Sequence, residues 1–309
     1  MNDPVPDLSV AIAGVKLKNP VMTASGTFGW GTEYADLVDL SSLGAVVVKA
    51  TTLNPRAGNP PPRVVETPAG MLNAIGLQNP GVDVVLREKL PPLADCGAPV
   101  IVNIAGETLN DYVAVAACLS ESPVVSALEI NASCPNTQCG GMQFGVQPEP
   151  LAELVRAVRA VTPLPLITKL SPNVTEIVPL ARAAVDAGSD ALSLVNTLVG
   201  MAIDVERRRP KLGNATGGLS GPAIRPVAVR MVWQVAAAGL GVPLIGMGGI
   251  MTAADALEFI LAGATAVAVG TATFVTPDTC RRVAEGIADY CVRHGLGSVR
   301  ELVGAAQRA

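Results

Sequence analysis

Eight short runs rich in β-branched and small apolar residues recur along this chain, separated by stretches of helical period and punctuated by Gly, Pro, Ser or Thr. In order they are PVMTASG (20–26), AVVVKATT (45–52), PVIVNIAG (99–106), ALEINASC (127–134), PLITKLSP (165–172), ALSLVNT (191–197), PLIGMGGI (243–250) and AVAVGT (266–271). Few of their residues need water, so each run suits a strand covered on both faces, as in a parallel sheet. Between them, PEPLAELVRAVRAV (148–161), TEIVPLARAAVDAG (175–188) and TAADALEFILAG (252–263) have helical spacing. The last two offer Thr175 and Thr252 as caps and a glycine as the stop. Eight strand–helix alternations in 309 residues predict an α/β fold, a (β/α)8 TIM barrel forming one domain over residues 1–309. A doubly wound sheet would need fewer strands or a second domain. Aromatic residues are only 3% of a half-apolar chain, which suits small-residue packing of helices on a sheet.

Three segments exceed a minimal barrel. The alternating LSVAIAGVKLKN (8–19) reads as an N-terminal hairpin covering the barrel's bottom. The connections 53–80 and 198–221 follow the second and sixth strands. They are therefore long βα loops over the C-terminal face, where barrels build their active sites, and read as lids or binding loops rather than idle insertions.

A net charge of −4 leaves no electrostatic footprint for nucleic acid, and basic residues cluster only in ERRRPK (206–211). The opening MNDPVPD lacks the basic start and apolar run of a secretory signal. Two uncharged segments, Met231 to Ala254 and Phe259 to Pro277, are broken by glycines and read as helix end, strand and helix start, not as membrane spans. The chain is expected in the cytoplasm, with its six cysteines, none in a CxxC pair, as reduced thiols.

The strand ends carry the chemistry: Ser25, Lys49, Asn103, Asn131 with Cys134, Lys169, Asn196 with Thr197, Gly248 with Gly249, and Gly270 with Thr271. A polar ring above an apolar barrel needs partners, which a bound polar ligand supplies. Glu129 is the sole acid in the strand runs and can serve only one of Lys49 and Lys169, so an anionic or electron-rich ligand is expected. The glycines of GMGGI and VGTAT, with Thr252 and Thr273 near the next helix starts, mark the usual phosphate site of a barrel. Asparagine amides at 73, 131, 136 and 196 pair donor with acceptor, as the edge of a pyrimidine or flavin does. The sole histidine, His294, lies outside every strand end, so no His-centred nucleophile and no metal site is expected. From the residues alone, Cys134 stays open between metal ligand, packing thiol and catalytic group.

The chain resembles the class 1 dihydroorotate dehydrogenases, flavoproteins of pyrimidine biosynthesis. The resemblance spans essentially the whole chain and is carried by NPVMTASGTFG, KATTLNPR, NAIGLQNPG, EINASCPN, TKLSPN, LVNT, GGLSGPAIRPVAVRMVWQV, MGGI and AVGTATF. It implies FMN at the barrel mouth, held by Ser25, Lys49, Ala50, Asn103, Asn131, Lys169, Val195, Gly221, Gly248, Gly249, Gly270 and Thr271. It implies that Lys49, Asn73, Ala74, Ile75, Gly76, Leu77, Asn131, Asn136, Asn196 and Thr197 meet dihydroorotate. Cys134 would take the C5 proton, the C6 hydride would pass to the flavin, and Lys169 would stabilise the reduced flavin's charge.

GGMQFG after Cys134 and PKLGNATGG before the seventh strand are similar to the NAD-linked subclass (class 1B). That subclass implies a homodimeric core within a heterotetramer, with FAD and a 2Fe-2S cluster on a partner subunit that relays electrons to NAD+. This chain's own cysteines lack the grouped spacing a cluster needs. The loop carries Gln138 where the family usually has lysine, and Cys139 has no assigned task. The rival readings are the fumarate-dependent homodimer of class 1A, a flavin-free barrel dehydrogenase with a cysteine nucleophile, and a catalytically inactive barrel that serves only as a binding subunit.

Overall fold

In a computed structural model of the chain, the structure describes residues 5–132 and 144–308. Cys134, Asn136, Gln138 and Cys139 lie outside the described residues. The chain begins with an antiparallel hairpin, β1 (Val10–Ile12) and β2 (Val15–Leu17), closed by Ala13 and Gly14 at positive φ. Val10, Ile12 and Leu17 are buried in the core, so the alternation in the sequence does mark one covered face.

Next come β3 (Val21–Thr23), β4 (Val46–Thr51), β5 (Val64–Thr67) and β6 (Gly70–Asn73), followed by one helical turn, α1 (Val82–Val84). After β7 (Val100–Ile104), helix α2 (Leu109–Ser120) leads to β8 (Val125–Asn131). Helix α3 (Pro148–Arg159), β9 (Leu166–Leu170), α4 (Val178–Asp186) and β10 (Ala191–Leu194) continue the alternation. The sixth connection holds β11 (Leu198–Gly200), the two-residue strands β12 (Ile203–Asp204) and β13 (Arg209–Pro210), and β14 (Gly217–Ser220). The chain ends with α5 (Arg225–Ala237), β15 (Leu244–Met247), α6 (Ala253–Ala262), β16 (Ala266–Val269), α7 (Ala272–Val275) and α8 (Thr279–Arg293), followed by short 3-10 turns.

All eight sequence runs become the strands of one parallel sheet, ordered β3-β16-β15-β10-β9-β8-β7-β4, with nearly every residue buried. The ring closes between its end strands through a bridge from Met22 to Ala45. At this seam the fully buried Thr23 side chain completes the ladder: Oγ1 accepts from Val47 N at 2.8 Å and donates to Val47 O at 3.3 Å. Thr23→Val keeps the shape but strands a buried N–H, so unfolding stability should fall by about 1–3 kcal/mol. A lower urea midpoint at unchanged slope is the expected reading.

Two expectations are corrected. The first βα unit has no α-helix: the chain between β3 and β4 turns through short 3-10 segments, with Gly29 and Gly31 at φ 55° and 89°. Thr175 does not cap α4, which begins later, at Val178, with a proline in its first turn and Ile177 at the cap position. Thr273, the second residue of α7, does lie near that helix's start, with Thr271 at the cap position. Thr252 does cap α6, in a reciprocal box with Asp255, and Gly263 ends that helix at φ 121°.

The two long connections come together over the barrel mouth. They join into one antiparallel sheet, β11-β14-β6-β5, with Gly218 opposite Asn73 and Ser220 opposite Met71. The consecutive glycines of β14 reflect crowding: a Cβ on Gly218 would lie 2.1 Å from Thr197 Oγ1, and one on Gly217 would lie 2.7 Å from Asn73 O. The described cysteines 96, 118, 280 and 291 are free thiols, and burial pushes Cys280 up to about 12. No helix among the described residues is long and apolar enough to cross a membrane.

Candidate active site

A cavity of about 600 Å³ opens at the C-terminal end of the barrel, beneath the four-stranded sheet. That volume lies within the range of small-molecule and cofactor sites. Seven of the eight barrel strands, or the turns just after them, reach its wall: Ser25, Lys49 with Ala50, Asn131, Lys169, Val195 to Thr197, Gly248 with Gly249, and Gly270 with Thr271; β7 does not. The sheet above contributes Asn73, the loop from Ala74 to Leu77, and Gly221. Of the described residues expected at the site, Asn103 alone does not line the cavity. It is fully buried under the floor on β7, between the strands that carry Lys49 and Asn131.

The loop 73–77 is fixed by local hydrogen bonds. Asn79, buried, donates to Leu77 O at 2.8 Å and Thr52 Oγ1 at 2.7 Å, and accepts from Gly81 N at 2.9 Å. Asn59 donates to Ala74 O at 3.0 Å, and Gly76, at φ 77°, passes so close to Asn59 that a side chain would collide. The NAIGLQNPG motif therefore encodes a backbone shape as much as a set of contacts.

Two of the amides expected to read a ring edge are hydrogen-bonded to each other. Asn196 Nδ2 donates to Asn131 Oδ1 at 3.2 Å, and Asn196 Oδ1 accepts from Thr197 N at 2.8 Å. Asn73 Nδ2 donates to Gly218 O at 3.2 Å, and Tyr112 Oη donates to the Asn131 carbonyl at 2.7 Å. Asn173 went unassigned from sequence although it lies in the quoted TKLSPN. It lines the cavity and ties the sixth connection down, donating to Thr197 O and accepting from Val199 N.

The two strand lysines differ as the count of acids required. Glu129 takes Lys169, with Nζ 3.8 Å from Oε2. Lys49 has no carboxylate partner among the ion pairs of the described residues, and burial pushes its ammonium below the usual lysine pKa. The nearby Arg63 adds to that shift and Glu33 opposes it. An ammonium held in this state gains from an anionic ligand.

On the opposite wall, Gly248 and Gly249 adopt φ 128° and 78°, and a Cβ on Gly249 would sit 2.8 Å from Gly221 O. Only glycine fits this cradle. The start of α6 contributes less than the sequence suggested, because Asp255 already accepts from Met251 N and Thr252 N and is gripped by Arg225. The two glycine turns line the cavity beside Thr271, whose hydroxyl donates to Ser220 Oγ at 2.8 Å.

The chain on either side of the segment holding Cys134 also lines this cavity: Asn131 and Ala132 before it, Gly145 and Val146 after it.

The family model for dihydroorotate dehydrogenase matches residues 7–290. The chain is 60% identical over 300 residues to the dihydroorotate dehydrogenase B (NAD(+)) catalytic subunit of Geotalea uraniireducens, covering 97% of this chain and 98% of that protein. It is 62% identical to the protein of the same name from Desulforudis audaxviator, covering 97% of each. With that of Geobacter metallireducens it shares 56% over 98% of this chain and 99% of the other.

Proposed function

Because this chain belongs to the dihydroorotate dehydrogenase family, we propose that the cavity under the four-stranded sheet holds FMN with dihydroorotate against it. The enzyme is an oxidoreductase of pyrimidine biosynthesis that converts dihydroorotate to orotate, with NAD+ as the final acceptor reached through a separate electron-transfer subunit. FAD and a 2Fe-2S cluster on that subunit, and a homodimeric catalytic core within a heterotetramer, complete the reading.

One observation carries it. The same cavity brings together a glycine cradle that excludes side chains, a hydrogen-bonded pair of asparagine amides, and two lysines of which one has no carboxylate partner among the described residues. Phosphate, heterocycle edge and anionic carboxylate each find matching chemistry there. Asn103 fits the flavin in a further way: its Oδ1 is buried without a hydrogen-bond partner, an acceptor suited to a ring N–H.

In this reading Gly248, Gly249, Gly270 and Thr271 hold the phosphate, with Gly221 and Val195 shaping the wall around the ribityl chain. Ser25, Ala50, Asn103, Asn131 and Lys169 address the ring. Lys49 binds the substrate carboxylate, and Asn73, Asn131, Asn136, Asn196 and Thr197 orient the pyrimidine against the 74–77 loop. Cys134 removes the C5 proton. A thiol titrates far closer to neutral pH than a hydroxyl, so it needs no helper histidine. The bound flavin supplies the hydride acceptor. Lys169 places a positive charge where electron density rises.

The purified chain is expected to be yellow, and its visible band should bleach on anaerobic addition of dihydroorotate. Bleached protein should reduce NAD+ only after the electron-transfer subunit is added. A colourless protein that turns over without flavin would overturn the assignment in favour of a covalent cysteine mechanism, and reoxidation by fumarate without a partner would overturn the electron route.

A further inference from the structure

We propose that Glu129 is the positioning residue of this site, a buried anion that fixes which face Asn103 shows the flavin and sets the charge that Lys169 offers it; this rests on the flavin reading above. Glu129 is 3% exposed and sits on β8 opposite Asn103. Its Oε2 accepts from Asn103 Nδ2 at 2.6 Å and faces Lys169 Nζ at 3.8 Å, while its Oε1 accepts from Ser193 Oγ at 2.7 Å. Ser193 and Lys169 lie side by side on β10 and β9, so four neighbouring strands meet at this one carboxylate.

The orientation follows from hydrogen-bond chemistry. A carboxylate only accepts, so Asn103 must turn its NH2 toward Glu129 and its carbonyl oxygen away. That leaves Oδ1 as the buried atom without a partner. An amide that would otherwise flip freely becomes a fixed acceptor. A glutamine at 129 could accept or donate, and that selection would be lost.

The charge follows from distance. At 3.8 Å from the carboxylate, and with a hydrogen bond to Ser25 Oγ at 3.4 Å, Lys169 is compensated without being clamped. The pair is neutral, so Lys169 adds no net charge to the site. Without the carboxylate, Lys169 would face the cavity as an uncompensated cation and would favour the electron-rich form of the bound ring. Glu129 thus keeps the cofactor from holding its electrons too tightly to pass them on. A purely structural ion pair would not have this effect, and buried pairs contribute little to stability by themselves.

The test is the oxidised-to-reduced ratio of the bound flavin, read spectroscopically against a redox dye, in wild type and in Glu129→Gln. The variant is expected to lower that ratio at least tenfold at a fixed solution potential, a shift of about 30 mV for a two-electron couple. In a Lys169→Gln background the same substitution is expected to move the ratio by less than threefold, because Glu129 acts through that lysine. FMN titrated into stripped apoprotein is expected to bind about tenfold more weakly to Glu129→Gln. Should Glu129→Gln fail to fold, Glu129→Asp, which keeps the charge but withdraws it by one methylene, is expected to move the ratio in the same direction by a smaller factor. A ratio unchanged within twofold in a variant that still bleaches with dihydroorotate overturns the role of Glu129 and leaves the flavin site standing. A shift undiminished without Lys169 overturns the route through that residue. Wild-type protein that binds no flavin removes the premise instead.

Discussion

Cys134→Ala is expected to slow bleaching of the bound flavin by dihydroorotate about 10²–10⁴-fold, the usual contribution of a positioned base. Flavin content and dihydroorotate affinity should change little, because the glycine turns after β15 and β16, Lys49 on β4 and Asn196 after β10 line the cavity from other strands. Cys134→Ser separates base strength from space: the hydroxyl fits, but its higher pKa should move the rise of the pH–rate profile upward by more than a unit. Stopped-flow absorbance under anaerobic conditions reads both effects. Unchanged bleaching in the alanine variant would assign the proton to another group.

Lys49→Ala is expected to raise the KM for dihydroorotate roughly 10- to 150-fold, the loss of one charge-assisted contact of about 1.5–3 kcal/mol. The pH dependence carries a sign that separates binding from folding. Burial lowers the Lys49 pKa, so the cation needed for the substrate carboxylate is present at low pH and lost as pH rises through that lowered value. KM should therefore climb with pH in wild type and stay flat over the same window in Lys49→Ala. Without ligand the trend reverses. The folded chain binds fewer protons at this site than the unfolded chain, so apoprotein stability gains from Lys49 as pH rises through the lowered pKa. Opposite slopes for ligand binding and apoprotein melting would identify Lys49 as the group responsible.

The barrel was legible because each of its strands is buried on both faces and so reads as an unbroken apolar run. The polar strand ends stood out for the converse reason: a lysine or asparagine inside such a run needs a partner, which Glu129 supplies to Lys169 and Asn103. Glu129 shows where this stops. Its uniqueness among the strand acids could be counted, but which lysine it meets depends on the register of β7, β8, β9 and β10.

The sheet over the mouth was not legible. β11 and β14 are three and four residues long and glycine-rich, and β14 pairs with β6, from a connection more than a hundred residues away. No local period records such pairing. Thr175 misled because a cap signature is common and the proline closer to α4 decided where the helix begins. The missing first helix follows from the glycines of TFGWG, whose positive φ values a helix excludes.

That shared sheet also bears on how such a barrel is re-engineered. Residues 64–73 and 198–220 are distant in the chain but interlock through Asn73 against Gly218, so they form one transplantable cap. A chimaera that grafts only one of the two from another barrel inherits mismatched partners, with any side chain larger than hydrogen at position 218 driven into Thr197. Grafting both together moves the cap as a unit, provided Ser220 is kept as the hydrogen-bond partner of Thr271.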